Sequence, residues 1–183
     1  MARQRKLWKE LGGSDEGWQQ WTDFAPLRTL QGGPGPTVPN RADGSAVGRK
    51  LPPLSAKDII GNTWTLDRLA GKTTVAVVWA TWCEPCRAEL PYFAKLAARL
   101  NGRDDVLAIS ISIDDNIAIA ESFAKSRNYT FPVLSAKEYT EDLMSHFFIP
   151  RTWIIRNGTI VEEVSGFGAD GEKWVEEMLA RLK

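Results

Sequence analysis

The chain has 183 residues, 43% of them hydrophobic, with 23 Lys and Arg against 23 Asp and Glu for a formal net charge of zero. That length suits one domain with an appendage, the apolar fraction supports a real core, and the charge balance points away from nucleic acid or an anionic membrane surface as a partner. No apolar run approaches the ~20 residues that span a bilayer, and the basic start Met1-Ala2-Arg3-Gln4-Arg5-Lys6 is not followed by the apolar stretch of a signal peptide.

Residues 1–30 are polar with spaced aromatics. Leu7, Trp8 and Leu11, then Trp18, Trp21 and Phe24, predict two short helices broken at Gly12-Gly13, with Ser14 or Asp15 capping the second. Three apolar residues per helix bury little. We therefore expect a helical extension that packs on the main domain or is the tail of an upstream domain, in a protein whose front, targeting segment included, has been cut away. Residues 31–50 hold Pro34, Pro36 and Pro39 among five glycines and read as a linker.

Residues 51–183 carry a globular pattern. Asn62-Thr63-Trp64-Thr65 suggests a short extended piece, and residues 66–71 a helical turn closing on Gly71. The run Val75-Ala76-Val77-Val78-Trp79 reads as a strand covered on both faces. Cys83 and Cys86, the only two cysteines, come next at C-x-x-C spacing. Leu90, Phe93, Ala94, Leu96, Ala97 and Leu100 then recur at helical spacing. Cys83 is thus expected at a helix N-terminus, where unpaired N–H groups and the helix dipole stabilise a thiolate. The thiolate is the nucleophile of disulfide exchange, and Cys86, about one turn on, can close a ring on the same partner. A structural zinc would need four ligands, which two cysteines and the distant His146 do not supply. A purely structural disulfide closing so short a loop would add little chain-entropy stabilisation. C-x-x-C beside a βαβ pattern is the signature of a redox pair.

Val106–Ser112 reads as a second buried strand, and Asp114 or Asp115 can cap a helix over 117–127. Two strands joined by a helix predict a parallel pair with a right-handed crossover. Residues 131–134 suggest a short strand and 139–147 a short helix. Asn157-Gly158 between the apolar runs 152–155 and 160–164 is a hairpin signal. Trp174, Val175, Met178, Leu179 and Leu182 give a closing helix one apolar face. The expected class is α/β, with a mixed central sheet and helices on both faces.

This order, with W-C-x-x-C at the end of the first core strand, resembles the thioredoxin fold. Trp82-Cys83-Glu84-Pro85-Cys86-Arg87-Ala88-Glu89-Leu90-Pro91 is similar to the TlpA/ResA-like branch of that superfamily, membrane-tethered bacterial thiol–disulfide oxidoreductases that commonly show W-C-x-P-C-x-x-E-x-P. The resemblance covers about residues 51–183 and none of 1–50. It implies that Cys83 is the nucleophilic cysteine, Cys86 the resolving one and Glu89 a carboxylate near the thiols. It implies that Pro150 is a cis-proline whose loop offers the backbone of Ile149 to the substrate, with Trp82, Glu84 and Pro85 also facing the substrate. It further implies a cysteine-containing protein as substrate, an upstream membrane or soluble thiol reductant, and work as a monomeric reductant with no metal or organic cofactor. The implied location is periplasmic or otherwise extracytoplasmic. The reduction of apocytochrome c cysteines is one use of this branch.

Several of these positions have physics of their own. Glu89 lies three residues after Cys86, on the same side of a helix, and burial there would raise its pKa and let it exchange protons with the thiols. Val77, six residues before Cys83, stands where thioredoxins proper keep a buried aspartate, so Glu89 is the candidate acid. Pro85 falls in the first helical turn, where its missing N–H costs nothing. Glu84 places negative charge beside Cys83, which by itself disfavours the thiolate. Trp79 suits the core, and Trp82 one side of the dithiol. Two rivals stand beside this reading. A thiol peroxidase of the same fold wants threonine three residues before the reactive cysteine, where this chain has Ala80. A copper-carrying relative would use Cys83, Cys86 and His146, but usually spaces its cysteines by three residues.

Overall fold

A computed structural model describes residues 45–144, 148–168 and 170–183. The helical extension and most of the linker expected before residue 45, and His146, lie outside the described residues. Among the described residues, seven strands and five helices alternate along the chain. A small antiparallel hairpin comes first, β1 (Ser55–Lys57) with β2 (Thr63–Thr65), followed by a one-turn helix α1 (Leu66–Leu69). The main sheet and its helices are β3 (Thr73–Trp79), α2 (Glu84–Leu100), β4 (Val106–Ser112), α3 (Ile117–Ser126), β5 (Val133–Ser135), α4 (Lys137–Leu143), β6 (Arg151–Arg156), β7 (Thr159–Ser165) and α5 (Gly171–Arg181).

The five-stranded sheet runs β5-β4-β3-β6-β7. β3 pairs β4, and β4 pairs β5, in parallel; β6 pairs β3 and β7 antiparallel. This is the thioredoxin-like mixed sheet that the element order predicts. β3 lies at its centre, with Val75 through Trp79 fully buried, so both faces of that strand are covered. Each buried valine among them contributes about 1.5–3 kcal/mol of hydrophobic burial. α2 turns Leu90, Phe93, Leu96 and Leu100 inward and runs unbroken through Pro91. It lies beside α5, with Lys95 bridged to Glu172 and Arg99 to Glu176. The Asn157-Gly158 turn has both residues at positive φ, 50° and 69°, as a type I′ hairpin demands.

Four details depart from, or add to, the reading of the sequence. The β1–β2 hairpin was not foreseen. The buried Asp58 organises it by accepting from Ile60 N, Asn62 N, Asn62 Nδ2 and Trp64 Nε1. The cap of α3 is Asn116, which accepts from Ala118 N at 3.0 Å, and neither Asp114 nor Asp115. The helix expected over 139–147 starts at Lys137 and ends at Leu143. Residues 45–50, at the end of the stretch read as a linker, run against the β6–β7 hairpin: Gly48 N donates to Ile160 O at 2.7 Å and Lys50 bridges Thr159.

Candidate active site

The C-terminal end of β3 delivers the chain to a tight loop, Ala80-Thr81-Trp82, and then to the first turn of α2. Cys83 is the N-cap of that helix. Its sulfur accepts from Cys86 N at 3.2 Å, and Pro85 occupies the first turn, where no N–H is needed. Cys83 and Cys86 are joined as a disulfide. Cys86 is fully buried and Cys83 is 6% exposed, so Cys83 offers the outward sulfur of the pair. Glu84 and Pro85 are exposed beside it, and Trp82 stands out at 66% exposure. Trp79 is buried in the core.

The loop before β6 closes over the same point. The Ile149–Pro150 peptide bond is cis, and the Ile149 carbonyl oxygen lies 3.8 Å from Cys83 Sγ. Two residues 66 positions apart in the chain therefore meet at one sulfur because β3 and β6 are neighbours in register, with Val78 opposite Arg151.

Glu89 follows Cys86 by three residues on α2 and is 1% exposed. Thr152 Oγ1 donates to its Oε1 at 2.9 Å, while Oε2 has no hydrogen-bond partner among the described residues. Burial pushes the Glu89 carboxyl up to about 8, with the Thr152 hydrogen bond pulling the other way. A carboxyl that is protonated near neutral pH can both give and take a proton there.

Residues whose part in the site the sequence did not show complete the frame. Asp114, at the end of β4, takes three hydrogen bonds from the loop that carries the cysteines: Thr81 N to Oδ1 and Oδ2 at 3.2 and 3.1 Å, and Thr81 Oγ1 to Oδ1 at 2.6 Å. Ser112 Oγ donates to its Oδ2 at 2.9 Å. On the other side, Arg151 and Glu163 form a buried ion pair below the Ile149–Pro150 loop. An acidic residue just after an apolar strand was the available signal for Asp114; it reads equally well as a helix cap. No group of three or more metal-ligating side chains is gathered among the described residues.

A model of the AhpC/TSA family matches residues 47–164. The chain belongs to the AhpC/TSA family. Among its relatives, the thiol-disulfide oxidoreductase ResA of Oceanobacillus iheyensis is 34% identical over 113 residues, which are 61% of this chain and 58% of that protein. The thioredoxin-like protein YneN of Bacillus subtilis is 27% identical over 144 residues, 78% of this chain and 84% of that protein. A crystal structure described as the thiol:disulfide interchange protein DsbE from Chlorobium tepidum superposes with a TM-score of 0.64 at 25% identity, covering 75% of this chain and 98% of that one. Within the AhpC/TSA family, then, the chain is a ResA-like member of the thioredoxin superfamily.

Proposed function

We propose that this AhpC/TSA-family chain is a thiol–disulfide oxidoreductase whose working group is the Cys83–Cys86 pair. The observation that carries the reading is the disulfide itself, placed at the N-terminus of α2 with Cys83 outward and Cys86 buried. In the reducing direction the Cys83 thiolate attacks a disulfide of a partner protein. One partner sulfur leaves as a thiolate and takes a proton, and a mixed disulfide joins Cys83 to the other. Cys86 then attacks Cys83 Sγ, the second partner sulfur leaves, and two electrons have passed from the pair to the partner. The N–H of Cys86 and the positive end of α2 stabilise the Cys83 thiolate.

Glu89 takes up and returns the Cys86 proton during the second step. Ile149 offers its backbone to the partner chain, with Trp82, Glu84 and Pro85 around the sulfur. The substrate is a cysteine-containing protein. Support for a reductant that works outside the cytoplasm, is recharged by an upstream thiol protein and acts as a monomer without metal or organic cofactor comes from the ResA-like motif. The copper reading depends on His146, outside the described residues, and the peroxidase reading lacks its threonine at Ala80.

The test is a trap. Cys86→Ser leaves Cys83 able to attack but removes the group that releases the partner. The variant, incubated with disulfide-bonded protein, is expected to accumulate a mixed disulfide through Cys83, seen by non-reducing electrophoresis and mass. No adduct, under conditions where Cys83 alkylates freely, contradicts the proposal.

A further inference from the structure

The exchange chemistry uses neither member of the buried pair Arg151–Glu163, whose side chains are 4% and 5% exposed. Arg151 Nη1 donates to Glu163 Oε1 at 2.7 Å. Glu163 Oε2 accepts from Trp153 Nε1 at 2.7 Å and from Ala46 N at 3.3 Å, so the carboxylate is held from β6 and from the segment leading into β1. With its orientation fixed, the guanidinium turns Nε back along its own chain to donate to the Phe148 carbonyl at 2.9 Å. That carbonyl directly precedes Ile149, whose own carbonyl faces Cys83 Sγ. The other end of the turn is held by Gly166 N donating to Pro150 O at 2.9 Å.

The arrangement answers a specific difficulty. Pro150 has no N–H to give to the sheet, so the strand ladder cannot hold the chain on the side where substrate arrives. Carbonyls must anchor it instead. A charged, forked donor fixed by a buried carboxylate is a rigid anchor, stronger than a neutral hydrogen bond. The two residues between Arg151 and the gripped carbonyl, Ile149 and Pro150, are what an incoming chain would touch.

We propose that Arg151, held by Glu163, is a positioning residue that sets the Ile149 backbone for an extended cysteine-containing peptide and so governs partner binding more than the sulfur chemistry. The inference rests on the thiol-exchange reading above. The experiment compares two substrates. Dithiothreitol reduces the Cys83–Cys86 disulfide without needing the loop, and its rate and the midpoint potential test the exchange reading alone. A disulfide-linked peptide pair, reduced by the dithiol form, tests the loop. Arg151→Lys keeps the charge opposite Glu163 but cannot reach both acceptors with one amine. The double variant Arg151→Met, Glu163→Gln removes the pair without leaving one charge buried alone. Both are expected to raise KM for the peptide by roughly tenfold or more, the scale of one lost charge-assisted hydrogen bond. The turnover at saturation, the dithiothreitol rate and the midpoint potential stay unchanged. An unchanged peptide KM overturns the proposal. So does a parallel fall of every rate with the folded fraction, which is what a merely structural pair would give.

Discussion

Thr152 donates its hydroxyl to Glu89 across 2.9 Å, and the same Thr152 is the cross-strand partner of Val77. The buried carboxyl on α2 is therefore tuned from β6, beside the position where an acid would otherwise stand on β3. The hydrogen bond favours the ionised form against a larger desolvation effect that opposes it. Thr152→Val removes the donor and keeps the shape. The Glu89 carboxyl should then titrate at higher pH than in the parent protein, which carboxyl-selective 13C NMR can follow. A titration that stays in place would mean that Thr152 does not tune it.

The same burial makes stability depend on pH. The folded protein holds the Glu89 proton up to about pH 8, whereas an ordinary glutamate loses it near 4.5. Between those values the native state binds the extra proton, so stability falls as pH rises from about 4.5 to about 8 and levels off above. Each pH unit of the interval corresponds to about 1.4 kcal/mol, so the total is on the order of a few kcal/mol. Glu89→Gln carries no such proton. Its stability relative to the parent should improve steadily from pH 5 to pH 8, measured by urea unfolding at each pH. The same variant should flatten the pH dependence of exchange around pH 8 and lower its rate. A stability difference constant across that range would contradict the raised carboxyl.

Asp114 ties the cysteine loop to β4 through Thr81 and Ser112. Asp114→Ala leaves two donors of Thr81 and the Ser112 hydroxyl without this acceptor in a part-buried site. The expected loss is about 2–3 kcal/mol, the cost of a few unmade hydrogen bonds to a charged group. Asp114→Asn, which retains one acceptor oxygen, should lose less. Urea midpoints at unchanged m-value would give the difference. Equal losses for the two variants would place the effect in packing instead.

The parts of this fold that were legible in the sequence are those whose signals are local. β3 is a continuous apolar run, α2 a periodic stripe after C-x-x-C, and the β6–β7 turn an Asn-Gly pair. The Cys83, Glu89 and Pro150 constellation came from a motif; the structure places Ile149 O 3.8 Å from Cys83 Sγ and buries Glu89 against Thr152. Arg151 and Glu163 were hidden for a different reason. A strict two-residue hairpin around Asn157-Gly158 would pair Trp153 with Glu162. The register instead shifts between Ile154 and Ile155, so that Glu162 faces Ile154 and Glu163 faces Trp153. Val161 is the extra residue of a bulge, and a one-residue slip moves a side chain to the opposite face of a sheet. Glu163 thereby joins Trp153 and Arg151 inside. Asp58 was hidden in the same way, since its four donors are assembled only when β1 meets β2.

The central claim is that Cys83 and Cys86 form a working redox pair. A titration against thiol buffers of graded potential, read by alkylation mass and by tryptophan fluorescence, tests it most directly. The account predicts a reversible two-electron midpoint, with both cysteines alkylated together below it and both protected above, and a tenfold change in the equilibrium for each ~30 mV. A low midpoint would agree with a reductant of other disulfides and a high one with an oxidant. Cysteines that remain reduced at every potential, or a disulfide that forms and cannot be reversed, would contradict the account.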